Sequence, residues 1–273
     1  MIRFVAAPPP LNRREKRSAK PGPKRTQPLT TPANAPETDR LAQYLQAAAH
    51  NAATFVQQQS ELYRILVEIE GAYARLLSLS IPESLNTAAS LTLDCYSKFC
   101  TSCLLALSGQ LAETSLPVRA SIEAALYAFY LEQNSDVKQD WQTRDEDQGA
   151  KKRLRSALAI RGLLDAVRQV DAPLSTRLES LYEDSITLGA HPNPLAVATG
   201  VRVTEMPDHT SVTRAVLGGS PLEVEYALRT IARTTIASIE LLCYVLDGCV
   251  DVSGVRALLP RLKLRSEPRS PSV

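Results

Sequence analysis

The chain has 273 residues, 44% of them hydrophobic and 22% charged, with a formal net charge of +2. That apolar share supports a packed core and excludes a wholly disordered chain. The small net charge conceals an asymmetry: residues 1–40 hold nine Lys/Arg against three Asp/Glu, and residues 256–273 hold five against one, which leaves 17 basic against 25 acidic residues between them. An acidic centre excludes a folded surface that clamps nucleic acid by charge alone.

Residues 1–37 read as a disordered, basic, Pro-rich tail. Pro8, Pro9, Pro10, Pro21, Pro23, Pro28, Pro32 and Pro36 stand among Lys and Arg, and each proline removes a backbone donor and restricts the residue before it. The first ten residues lack the apolar run of about 7–15 that a secretory signal requires. The tail offers phosphates a basic contact, although its one aromatic, Phe4, gives no stacking platform.

Helical signals follow. Apolar residues at helical spacing from Asp39 to Ser80 predict one long helix, or two joined near 57–60. Ser80-Ile81-Pro82-Glu83 reads as a capping box opening a helix to about Leu107. Pro117 opens the next, to about Gln133, and a charged helix is expected over 137–169, either continuous or broken near Gly149. Thr176 and Glu179 are expected to cap a short helix that stops before Gly189. Between Gly189 and Gly219, β-branched residues flank Met206-Pro207-Asp208-His209 and predict a small β-hairpin near 200–216. Ser220-Pro221-Leu222-Glu223 is a further capping box, and its helix is expected to run to Gly248 and, apolar nearly all round from Ile231 to Leu246, to be buried. The apolar stretch 235–246 is interrupted by Glu240 and falls short of the roughly 20 residues that span a bilayer.

Residue types with chemical potential are few. Sequence motifs for P-loops, dinucleotide folds, nucleophile elbows and zincins are absent. Five cysteines, Cys95, Cys100, Cys103, Cys243 and Cys249, make an odd number and point to reduced thiols in a cytosol-like compartment. Cys100-x-x-Cys103 has no second ligand pair for zinc and sits inside a helix, so core filling is the expectation. No cofactor and no metal are expected.

Arg119 and Glu123 lie four apart on one helix, with Tyr127 continuing the same side among apolar and small neighbours. The pair reads either as an ion pair that fixes helix register or as the floor of a polar pocket. His191, with Asn193, lies in a loop stiffened by Pro192 and Pro194. It reads as a general base or ligand, or equally as a cap on a helix C-terminus.

The run from Leu116 through Arg119, Glu123 and Ala125 to Tyr127, followed by Trp141 and Arg144 and then by the His191-Pro192 loop, resembles a family of uncharacterised bacterial all-helical proteins. That family is in turn similar to the HEPN superfamily of helical bundles, many of which are ribonucleases in toxin and phage-defence systems. The resemblance covers about 60–248 and makes Arg119, Glu123 and His191 the signature positions. HEPN ribonucleases carry Arg and His a few residues apart on one helix, whereas the nearest Arg before His191 is Arg177.

The expectation is an all-α bundle of about six or seven helices with one small hairpin. It comprises a tail at 1–37, a single domain at 38–260 and a flexible tail at 261–273. The function expected is that of a non-catalytic cytoplasmic bacterial protein with a polar pocket at Arg119, Glu123, Tyr127, His191 and Asn193, His191 being the catalytic candidate. The alternatives are a HEPN-like RNA-cleaving or RNA-binding effector and an obligate-dimer interaction module. The partners considered are a second copy of the chain and nucleic acid through the tail, with no membrane.

Overall fold

The computed structural model describes residues 39–146, 148–191, 194, 201–205, 210–214, 216–247 and 254–267. The predicted tail at 1–37, Asn193 and the turn at 206–209 lie outside them. The fold is all-α. Ten α-helices are present among the described residues, more than the six or seven expected, because the long charged segment divides and a further helix closes the chain.

Helices α1 (Arg40–Gln58) and α2 (Glu61–Leu77) are separate, parted by Gln59, which takes a left-handed φ of 49°. Asp39 caps the first by accepting from the Ala42 amide, and Ser60 caps the second by accepting from that of Tyr63. The box expected at Ser80 does not form. Pro82 leads instead into a short 3-10 turn, Glu83–Leu85, which runs into α3 (Asn86–Ser108). The N-terminus of α3 is served from across the bundle, where Glu132 accepts from the Ala88 amide at 3.2 Å. Such a cap satisfies an orphan N–H that local sequence cannot reveal.

Helix α4 (Ser115–Gln133) lies along α3 and α9, with Pro117 in its first turn, where a missing N–H costs nothing. The charged segment forms α5 (Ser135–Gln142), α6 (Gln148–Ala157) and α7 (Ile160–Val170). Helix α8 (Ala172–Ser185) is capped by Asp171 through the Leu174 amide. Thr176, the expected cap, sits inside the helix and bonds back to the Ala172 carbonyl. The next residues, Ile186–Ala190, make a π-turn with Gly189, φ 138°, inside it.

Strands β1 (Val201–Glu205) and β2 (Thr210–Arg214) pair antiparallel, with Val203 opposite Val212. The Ser220 capping box is complete and opens α9 (Pro221–Val245). The chain then forms α10 (Val255–Ser266), so the expected boundary at 260 falls inside a helix. Val255, Leu259 and Leu262 of α10 are buried in the common core.

That core joins α2, α3, α4, α7, α8, α9 and α10 in one cluster. Tyr73 is fully buried at its centre, edge-on to Tyr96 at 5.5 Å and tilted on Phe99 at 5.8 Å. Cys95 is buried too, its thiol donating to the Ser121 carbonyl, but Cys100 is exposed, so core filling describes only part of the thiol cluster. Among the described residues no helix is long and apolar enough to cross a membrane.

Candidate anion-binding site

Helix α4 is buried on most of its circumference. Between residues 117 and 131, Arg119, Ala120, Glu123, Tyr127 and Tyr130 are the positions that keep some exposure, and they form one stripe at helical spacing. Arg119 Nε donates to Glu123 Oε1 at 2.9 Å, with the two side chains 22% and 29% exposed. Glu123 therefore fixes the guanidinium at one edge and leaves the rest of its fork pointing along the surface.

The second wall comes from α8 and the π-turn. The Tyr182 hydroxyl donates to Glu123 Oε1 at 3.3 Å, and the Arg119 guanidinium lies 5.1 Å from the centre of the Tyr182 ring. This stacking adds a cation–π contact to the ion pair. The π-turn then carries the chain back over α4 and delivers His191, whose Nε2 meets Arg119 NH1. A guanidinium has no acceptor, so in this contact Nε2 is the accepting atom. Widened turns of this kind recur at functional sites.

The cluster extends along the same stripe. Tyr127 packs edge-on to Trp141 of α5 at 5.5 Å, and the Arg144 guanidinium stands 5.9 Å from the Trp141 ring. Burial pushes the Tyr127 hydroxyl above its ordinary value of 10.0, and the Glu123 charge pushes the same way. Burial likewise raises Tyr182, against the opposing pull of Arg119. Both phenols thus stay protonated donors at neutral pH.

Of the residues singled out by sequence, Arg119, Glu123 and His191 come together, Tyr127 stands one turn beyond them, and Asn193 lies outside the described residues. Tyr182 was not foreseen; it is 59 positions from Glu123, and no local pattern marks it. Two of the four basic residues of α6 pair elsewhere, Arg153 with Asp140 and Lys151 with Asp145. Among the described residues no group of three or more His, Cys, Asp or Glu side chains is placed to hold a metal ion. Comparison with protein-family models, with curated proteins and with solved structures gives no match.

Proposed function

We propose that the chain is a helical-bundle protein that binds an anionic group at Arg119, without itself transforming it. The observation that carries this reading is the guanidinium held by Glu123 and stacked on Tyr182, with His191 at its open side. With Nε on Glu123 and one terminal nitrogen on His191, the remaining N–H groups of this planar cation are those that would meet a phosphate or carboxylate. His191 borders the same guanidinium and would lie beside that anion. The aromatic and cationic strip of Tyr127, Trp141 and Arg144 continues the surface in a way that suits a phosphodiester carrying unstacked bases.

One observation favours a second reading, that of a HEPN-like RNA-cleaving effector. Arg119 and His191, far apart in the chain, meet side chain to side chain. Such a pair can hold a phosphate while the imidazole moves a proton.

The test is a mixed cellular RNA pool incubated with wild type, Arg119→Ala and His191→Ala, scored for both retention and cleavage. Loss of Arg119 is expected to weaken retention by about 10- to 100-fold, the span of one charge-assisted hydrogen bond. Retention unchanged in Arg119→Ala would sink the anion reading. Cleavage by wild type that disappears in His191→Ala, with retention kept, would promote the catalytic one.

A further inference from the structure

A second concavity lies apart from the Arg119 cluster. It encloses about 570 Å³ between the α3–α4 connection, the π-turn, the segment after β2 and the first turns of α9. Pockets of this size take drug-sized molecules.

Its walls are mainly apolar. Leu111, Val118 and Leu188 form the inner side, and Val216, Leu222 and Tyr226 form the mouth. Leu222 is 75% exposed, Tyr226 50% and Val216 53%, an unusual concentration of bare apolar surface around one opening. The backbone at the rim is built for close approach. Gly218 N–H donates to the Gly109 carbonyl at 3.0 Å, and a Cβ on Gly109 would stand 2.7 Å from Gly218 N. A Cβ on Gly219 would stand 2.3 Å from Leu111 Cδ1, inside the wall itself. The glycines thus bring the segment at 216–219 against the α3–α4 turn and give the pocket its closed side.

The charges decide which ligand fits. Among the described lining residues Glu113 and Glu223 are the charged side chains, and no Lys or Arg lines the space. Backbone and side-chain hydrogen bonds from Ser220 hold Glu223 below the ordinary carboxylate value of 4.5, so it stays ionised. Of the hydroxyls, Thr114 donates to the Gln110 carbonyl and Ser185 to that of Tyr182, so both are engaged within the wall. An anion would meet like charge and, among the described lining residues, no cationic side chain.

We propose that this pocket binds a mainly apolar small molecule that is neutral or positively charged. The site is independent of the anion reading, its charge preference being the opposite one.

N-phenyl-1-naphthylamine, an uncharged fluorescent probe, and its sulfonated counterpart 8-anilinonaphthalene-1-sulfonate differ chiefly in one negative charge. Titration of each into the full chain is expected to show one site per chain for the amine, and binding at least about tenfold weaker for the sulfonate. Ala227→Trp fills the pocket from α9 and is expected to abolish amine binding. Ala112→Phe does so from the opposite wall and serves if the first variant fails to fold, with circular dichroism as the check on both. No binding of the amine, equal affinity for the sulfonate, or amine binding that survives in both folded variants would overturn the proposal.

Discussion

Two glutamates in this molecule hold arginines in different ways. Glu68 on α2 accepts from both Arg261 and Arg265 of α10, whereas Glu123 takes the Nε edge of Arg119 and shares the same oxygen with Tyr182. The first arrangement spends the carboxylate on two cations and fastens one helix to another. The second keeps the cation turned outward, where it can meet a ligand. The Arg265 hydrogen bond, and next the positive charges of Arg265 and Arg261, hold the Glu68 carboxyl below its ordinary value of 4.5, against an opposing desolvation. A folded-state value depressed in this way stabilises the fold fully above the unfolded value and loses that contribution as pH falls through the folded one. Glu68→Gln is therefore expected to have a lower Tm than wild type at neutral pH, with the gap shrinking as pH falls below 4.5. A gap in Tm that stays constant across an acid titration would show that Glu68 acts by packing and not by charge.

At the scale of elements, glycines at two positions carry opposite expectations. Gly109 ends α3 with φ 92° and lies against Gly218, so Gly109→Ala meets both a disfavoured backbone and a clash. A cost of about 2–3 kcal/mol is expected from the denaturant midpoint, the left-handed conformation alone accounting for about 1–2. Gly162 sits inside α7, exposed, with nothing within 4 Å of an added Cβ. Gly162→Ala is expected to stabilise by about 0.5–1 kcal/mol, because alanine restricts the unfolded chain without strain in the helix. Both signs reversed would mean that the two backbones are not as described. The same distinction explains what was legible. Periodicity and a complete box at Ser220 located α9, because both are properties of neighbouring residues. The start of α3 is not legible locally, since the Ala88 amide is satisfied by Glu132 from 44 positions away. Asp171, and not Thr176, caps α8, and the Pro at the second helical position after it is the local sign of that start. Likewise Val255, Leu259 and Leu262 of α10 carry helical spacing, but Pro260 and the basic residues around it gave that stretch the look of a tail.

For the whole molecule the same limit governs the site: the Arg119–Glu123 pair is a local spacing, while Tyr182 and His191 reach it only through the packing of α8 on α4. A second long-range charge constellation adds to the apolar core by linking α8 and α10 to α9. Glu240 interrupts the most apolar stretch of the sequence, and in the fold it is 18% exposed between Arg177 of α8 and Lys263 of α10. A lone carboxylate there would be costly, and two cations from different elements offset that cost while tying three helices together. Arg229, also on α9, adds to this by donating to the carbonyls of Ser266 and Glu267 at the end of α10. The fastening is cooperative, because removing Glu240 leaves both cations without their shared partner. Glu240→Ala is expected to cost about 2–3 kcal/mol, and Lys263→Ala less, since Arg177 still neutralises the carboxylate. The double variant is expected to cost less than the two singles added, with a coupling of about 0.5–3 kcal/mol from a double-mutant cycle in urea. If the singles add to within about 0.5 kcal/mol, Lys263 is a surface charge and α10 is held by its apolar face alone.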